Sequence, residues 1–563
     1  MKYQQLLIAF CFYSFVIFFV QQSQLTYAGQ HLCARDDAFY LLQFKKGLIV
    51  VDQNIHDCDN ETRAKTLSWN VTGDCCQWDG VTCNGFTGHV IGLDLACSIL
   101  NQTINANSSL TKLGHLQRLN LAFSQFDDDF PLGISELSSL THLNLSNTGF
   151  NEGEIQIPPG LSKLSKLVSL DLSSNDFQVD RTTSRSLLQN LTNLEVLLLD
   201  SVDAPFELPK NFPSSRRYLI LQDTNMCGNI SDSQFFHLPN LQVLRMGWNP
   251  LLTGTLPNFN WSFSTSILEL DFFYTDIFGK VPDSIGNLRS LWYLDLSLNR
   301  LSGLIPVSIG NLSGIRVLRL SSNSFTGNVP STISKLNKLV DLDLSFNDFQ
   351  GSILESIDNF ANFSEPSFLY LQTNNFTGPL PYSIATLTRL QELNLQNNLL
   401  TGPLPSNLSR LQELETLDFS FNYFTGTIPP WLFRLSSLVS LSIQYNELTG
   451  KLPNELKSIT LATPDESTLE QDDEDSFFAS GFTWEAVVIG YGMIFGLLMG
   501  GLMILLEKPK WFVNFAEDIS QQIAAKKRRN QKKRRQGRAN YAHDAVISAD
   551  AELDGVRGFG RTH

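Results

Sequence analysis

Leucine returns along this chain in a fixed frame. From about Val90 to Pro453 a unit of about 24 residues recurs, clearest at Leu291-x-x-Leu294-x-Leu296-x-x-Asn299-x-Leu301-x-Gly303-x-Ile305-Pro306. The frame repeats at Leu390, Leu414 and Leu438, and with substitutions at Leu140, Leu167, Leu241 and Ile315. Leu-x-x-Leu-x-Leu alternates as a short strand does, with apolar residues inward and the intervening residues outward. Stacked in parallel, such strands line one concave face. Each unit buries its apolar face only against its neighbours, so the pattern predicts an α/β solenoid.

This spacing is the signature of leucine-rich repeats. Asn299, Asn323, Asn347, Asn374, Asn398, Asn422 and Asn446 share one register, where a buried amide can bond the backbone of the following turn. The residues two places on (Phe325, Phe349, Phe376, Leu400, Phe424, Leu448) are expected to stack from repeat to repeat, which gives many of the forty Phe a packing role. The 563-residue chain is long for one globular domain, but a solenoid needs no central core. A net charge of −15 excludes a general nucleic-acid binder.

Lys2, the apolar run Leu6–Val20 and Thr26-Tyr27-Ala28 read as a secretory signal peptide cut near Ala28. Sequons agree with export: Asn60, Asn70, Asn101, Asn107, Asn144, Asn190, Asn229, Asn260, Asn311, Asn362, Asn375 and Asn407. Some, Asn311 among them, are expected on the convex side. Of eight cysteines, Cys11 lies in the signal segment, leaving an odd number. Cys33, Cys58, Cys75, Cys76 and Cys83 precede the repeats, where disulfides would staple a unit covering the solenoid's end. Cys97 and Cys227 are expected as buried thiols, with a long bridge between them as the alternative. No zinc spacing occurs, and the eight His show no metal pattern, so neither metal nor cofactor is expected.

Specific motifs then accumulate. Ala38-Phe39-Tyr40-Leu41-Leu42-Gln43-Phe44-Lys45, Ser68-Trp69, Cys75-Cys76-Gln77-Trp78-Asp79-Gly80-Val81-Thr82-Cys83 and Gly88-His89-Val90-Ile91-Gly92-Leu93-Asp94-Leu95 resemble the N-terminal cap of plant leucine-rich-repeat receptor-like proteins. The match is to the disease-resistance branch typified by the tomato leaf-mould receptors. Gly303-x-Ile305-Pro306, Gly327-x-Val329-Pro330, Gly378-x-Leu380-Pro381 and Gly426-x-Ile428-Pro429 are similar to the plant-specific repeat. The resemblance implies a right-handed superhelix with an extra short strand at that position. Two departures stand out: no island interrupts the later repeats, and no paired-cysteine cap follows Pro453, which leaves the last repeat poorly covered.

Beyond the repeats, acidic residues crowd between Asp465 and Asp475, as in a solvated spacer. Ala486–Leu506 is apolar and long enough for a helix of about 20 residues to cross a bilayer, flanked by Trp484 and Trp511. Lys508, Lys510 and the basic cluster from Lys526 to Arg538 follow it, which places the C-terminus in the cytoplasm and predicts attraction to anionic lipid. Trp511, Phe515, Ile519 and Ile523 recur at every fourth residue, as along a helix lying on the inner surface. Gly492, Gly496 and Gly500 share one face of the span, where a second backbone can approach. The resemblance supplies the partner, a receptor-like kinase. The expected organisation is signal peptide 1–28, cap 29–89, repeat ectodomain 90–460, spacer 461–483, transmembrane helix 484–506 and tail 507–563.

Outward positions of the central strands offer Arg245, Trp248, Phe273, Tyr274, Trp292, Tyr293, Arg316 and Arg319. With strands about 5 Å apart they would form one patch of aromatics and arginines, the residue types that dominate hot spots. By family analogy Gln391, Asn394, Glu415, Asp418, Ser442 and Gln444 would receive a co-receptor ectodomain once ligand is bound. No Gly-rich loop, catalytic Asp motif or nucleophile elbow occurs, so no enzyme is expected. The reading is a plasma-membrane, single-pass receptor of plant defence that binds an extracellular protein, peptide or glycan and signals through partner kinases. A developmental peptide receptor and an inhibitor of secreted wall-degrading enzymes are the alternatives.

Overall fold

The computed structural model describes residues 32–47, 65–100, 104, 107–126, 131–148, 155–175, 177–258, 266–352, 367–450 and 460–461. The expected signal peptide, span and tail, with Gly492, Gly496 and Gly500, lie outside them, as do Cys58 and the sequons Asn60, Asn101, Asn260 and Asn362. Among the described residues no helix is long and apolar enough to cross a membrane. The chain divides into compact units 1–465 and 466–563, and every described residue belongs to the first.

Seventeen strands of that unit form one sheet, from Val81–Cys83 and Val90–Asp94 onward with one strand per repeat, ending at Thr460–Leu461. The first pair is antiparallel, and from Val90–Asp94 onward the pairing is parallel. The frame leucines align across it: Leu270, Leu294, Leu318, Leu342, Leu369, Leu393, Leu417 and Leu441 are register partners in turn. All eight are buried, so the period-two alternation does what the sequence implied.

A second parallel sheet of ten short strands, from Cys227–Asn229 to Glu447–Thr449, follows the Asn positions. It is the extra strand that the Gly-x-Ile-Pro signature implied. In Arg300–Gly303 the strand ends at Gly303, with φ +81°, and Pro306 opens the 3-10 turn Val307–Asn311. Proline has no N–H for a ladder and fixes a φ suited to a turn, so the same residue stops the strand and starts the opposite side of the repeat. Pro282, Pro330, Pro381, Pro405 and Pro429 do likewise.

Between the two sheets runs the asparagine register. Asn347 Nδ2 donates to the carbonyls of Leu320, Leu344 and Ser345 at 3.0–3.2 Å, while its Oδ1 accepts the Phe325 N–H at 3.0 Å. One amide therefore ties its own turn to the previous repeat. Asn299, Asn323, Asn374, Asn398, Asn422 and Asn446 repeat the arrangement. Asn175 and Asn249, which the sequence reading did not include, join them. Beside the ladder Phe325, Phe349 and Phe376 stack at 6.0 and 6.2 Å, and with Leu400 and Phe424 they are buried, whereas Leu448 at the last described repeat is only half so.

The N-terminal end is closed by the helix Arg35–Gly47 and the antiparallel strand pair. Trp69 stacks on Trp78 at 5.6 Å and donates to the Asp79 carbonyl. Gly80, with φ +78°, explains the Trp-Asp-Gly-Val-Thr-Cys run: a Cβ there would sit 2.1 Å from the Asp94 carbonyl oxygen. Cys33 pairs with Cys75 and Cys76 with Cys83, their four sulfurs lying within 4.8 Å of one another. Cys97 is also disulfide-bonded, which corrects the expectation of a thiol, while Cys227 is a half-buried free cysteine. At the other end Thr460–Leu461 pairs with Ser440–Ser442, so one further strand continues the sheet past the last repeat.

One repeat departs from the others. Its back is the α-helix Arg181–Gln189, started by Asp180, whose carboxylate accepts the Thr182 and Thr183 N–H groups. Arg216 stands where other repeats carry the first frame leucine and is fully buried. Its guanidinium donates to the carbonyls of Leu187, Leu188, Leu191 and Leu194, satisfying the helix end that leucine would leave open. Burial pushes its pKa down to about 10.

Asn347→Leu would strand the Phe325 N–H inside the solenoid, at about 1–3 kcal/mol for a buried group left without a partner, and would take one of two donors from each of the Leu320, Leu344 and Ser345 carbonyls. Denaturant unfolding of the purified protein should show a loss of about 1–3 kcal/mol in the main transition. Asn347→Thr should lose less, because Thr148 and Thr224 hold the same register and already bond the carbonyl three residues back, as Asn347 bonds that of Leu344. Equal stability of wild type and Asn347→Leu would refute the ladder as the structural tie.

Candidate functional site

Side chains between the frame leucines emerge on the concave face, and strand register sets their neighbours. Arg245, Asp271, Asp295, Arg319 and Asp343 form one row across consecutive strands. Part of that row serves the backbone. Asp271, Asp295 and Asp343 each accept the N–H two residues on at 2.8–3.0 Å, as Asn394 and Asp418 do further along. A short carboxylate or amide there bonds its own turn through one oxygen, leaving its other polar atom for a further partner, as Asp271 Oδ2 takes Gln222.

Two of the three arginines of the expected patch, Arg245 and Arg319, are engaged. Arg245 lies 2.7 Å from Glu269 and 5.8 Å over the Tyr293 ring. Arg319 meets Asp341 at 2.6 Å and Asp295 at 3.8 Å. Tyr293, expected outward and open, is only 7% exposed, and its hydroxyl donates to Asp295. Gln222 adds an amide N–H to Asp271 at 2.8 Å. The strip from Arg245 to Asp343 thus sets two arginines against Glu269, Asp271, Asp295, Asp341 and Asp343. The sequence reading weighed the aromatics and arginines and passed over the interleaved acids, so the sign of the face is the reverse of what those residues implied.

Burial drives the electrostatics. Asp271 is pushed up to about 7 by loss of solvent and then by the Asp295 charge, with Arg245 and Arg319 pulling the other way. Burial also raises Asp295 and Asp341 despite Arg319. The Tyr293 phenol is held well above its ordinary range by burial, then by Asp271 and Asp295. Burial opposes the charge on Arg319, but Asp341, Tyr293 and Asp295 together more than restore it.

The aromatics occupy the rim. Trp248, Tyr274, Leu298, Phe346, Phe421 and Tyr445 all precede the asparagine register, with φ between 52° and 60°. Trp248 meets Phe273 at 4.9 Å and Tyr274 at 5.2 Å, edge to face, so these three expected residues do come together. Trp292 is half-buried against Tyr293 and Arg316 is exposed, both just before their strands. Of the proposed co-receptor residues, Asn394, Asp418 and Ser442 are register neighbours, Gln391 and Glu415 lie before their strands, and Gln444 follows one. Among the sequons, Asn70, Asn107, Asn190, Asn229, Asn311 and Asn375 are exposed. Asn407 is half-buried in the 3-10 turn Ser406–Arg410, and Asn144 lies on the concave strand His142–Asn144, bonding the Ser146 N–H.

A carboxyl that holds its proton more tightly when folded makes folding take up a proton. Stability therefore falls as pH rises from about 4, the unfolded carboxyl value, through about 7, where folded Asp271 ionises, and levels off above. Asp295 and Asp341 act in the same direction. Melting temperature should be higher at pH 5.5 than at pH 8, and Asp271→Asn should flatten the difference. A steeper slope in that variant would contradict the assignment.

With the geometry in place, the chain can be set beside known proteins. A family model described as the leucine rich repeat N-terminal domain matches residues 34–84, and one described as leucine rich repeat matches 289–349 and 388–448. The chain is 38% identical over 283 residues to Receptor-like protein Cf-9 of Solanum pimpinellifolium, which is 48% of this chain and 32% of the relative. It is 35% identical over 282 residues to Receptor-like protein 6 of Arabidopsis thaliana, 47% of this chain and 28% of the relative. The chain thus spans about a third of the length of these curated relatives. A crystal structure of PEPR1-AtPEP1 superposes with a TM-score of 0.53 at 27% identity, covering 74% of this chain and 62% of that one. In sequence and in repeat geometry, the chain is a homologue of the plant leucine-rich-repeat receptor-like proteins.

Proposed function

We propose that this protein is a cell-surface receptor of plant defence, which captures an extracellular ligand on its concave sheet and signals through partner receptor kinases. The observation that carries the reading is the contrast within each repeat. Leucine, asparagine and phenylalanine fix the frame, while the groove positions change from strand to strand through Arg245, Asp271, Tyr293, Arg319 and Tyr370. A rigid scaffold presenting a varied, half-buried surface is built for recognition. The relatives' names as receptor-like proteins point the same way. Catalysis has no place in this reading. The apolar run Ala486–Leu506 provides the anchor, and Gly492, Gly496 and Gly500 the face for a kinase helix. Gln391, Asn394, Glu415, Asp418, Ser442 and Gln444 offer the surface for a co-receptor.

The tagged full chain, expressed in leaf tissue, should sediment with membranes, carry N-glycans and co-precipitate a receptor-like kinase. Replacing Gly492, Gly496 and Gly500 together by Leu should cut kinase recovery about tenfold, the loss of about 1.4 kcal/mol of helix association. Trp292→Ala and Arg316→Ala should leave kinase recovery and melting temperature unchanged while weakening the response to microbial elicitor preparations. Recovery of the intact chain in wall fluid, with no kinase attached, would replace this reading by that of a secreted enzyme inhibitor.

A further inference from the structure

Beyond Arg319 the groove changes character. Asp341 and Asp343 lie on one strand, Phe368 and Tyr370 on the next, and Glu392 on the third, with Asp341, Phe368 and Glu392 in register. The Phe368 and Tyr370 rings are half-buried and nearly parallel, 13° apart with centroids 6.4 Å from each other. Tyr370 donates its hydroxyl to Glu392 at 2.6 Å, which fixes the ring and the carboxylate together. Asp341 is 5% exposed; its Oδ2 takes both bonds from Arg319, and its Oδ1 has no hydrogen-bond partner. An orphaned carboxylate oxygen inside a protein is costly, and a donor brought to it repays that cost.

We propose that this stretch of the groove is a subsite for a cationic side chain, the arginine or lysine of a peptide ligand. Carboxylates on the two outer strands and aromatic faces between them are the two features such a group requires. The rings attract a cation through their negative faces, and the carboxylates accept its N–H groups. Arg319 already shows the chemistry on one side of Asp341, and it divides itself between Asp341 and Asp295. Burial holds the Asp341 carboxyl up, with the charges of Asp343 and Glu392 adding to the effect, so a second cation relieves a repulsion present in the free protein. The inference rests on the receptor reading and specifies what its ligand carries.

The test uses the full chain purified in detergent and a library of short synthetic peptides in which arginine, lysine, glutamine or citrulline occupies each position in turn. Arginine or lysine at one position should be enriched at least tenfold over citrulline and glutamine. Glu392→Gln should abolish that preference while leaving the neutral contribution of the same peptides, and Asp341→Asn, checked by its melting curve, should reduce it. Binding without a cationic preference, or with the same preference in Glu392→Gln, would overturn the subsite and leave the receptor reading intact. Failure of every peptide to bind would overturn both for peptide ligands, whereas loss of kinase association in leaf membranes bears on the receptor reading alone.

Discussion

The solenoid depends on how buried backbone polar groups are satisfied where the chain leaves the concave sheet. The described repeats turn there, and the leucine carbonyls of that turn, such as those of Leu320 and Leu344, each accept two asparagine side chains. The asparagine amide covers them, spending its two N–H groups on carbonyls of two repeats and its oxygen on the N–H of the repeat before. Apolar burial supplies the larger driving force, but it is indifferent to register. The amide is not: a slip of one residue would leave donors facing donors. Stacked phenylalanines then fill the space the turns enclose.

Much of this was legible because the frame repeats and each position has one physical task. Leu294 and its partners fell where alternation put them, and Asn299 through Asn446 bonded as a buried amide must. The irregular repeats were harder to read. Asn249 follows Met246, so the leucine spacing that flagged the others is blurred, yet its bonds are the same. Arg216 in a leucine position was not singled out, because its purpose lies in the open end of a helix 25 or more residues earlier. Asp180, with Thr182 and Thr183 two and three places on, was a visible signal for that helix, and it was not used.

The groove was legible in part. Sequence placed Arg245, Trp248, Phe273 and Arg319 on or beside one surface; the strand register sets Arg245 and Arg319 in one row three strands apart, and Trp248 lies against Phe273. It did not show which charges neutralise one another, since an ion pair such as Arg319 with Asp341 joins residues a full repeat apart. Nor did it show that Tyr293 would be covered, because burial on a concave surface depends on the size of side chains one strand away. Alternation says which side of a strand a residue takes. It says nothing about how deep that side is.

The corner residues before each asparagine carry a consequence for how such a protein can change. A bulky side chain at φ near +55° costs about 1–2 kcal/mol that glycine would spare, and here Tyr274, Phe346, Phe421 and Tyr445 accept it while exposing 39–50% of their surface. Because repeats touch only their neighbours, that penalty is local and can be taken on or given up one repeat at a time. The edge of the groove is thus the cheapest place for descendants of this chain to acquire new contacts without retuning the interior.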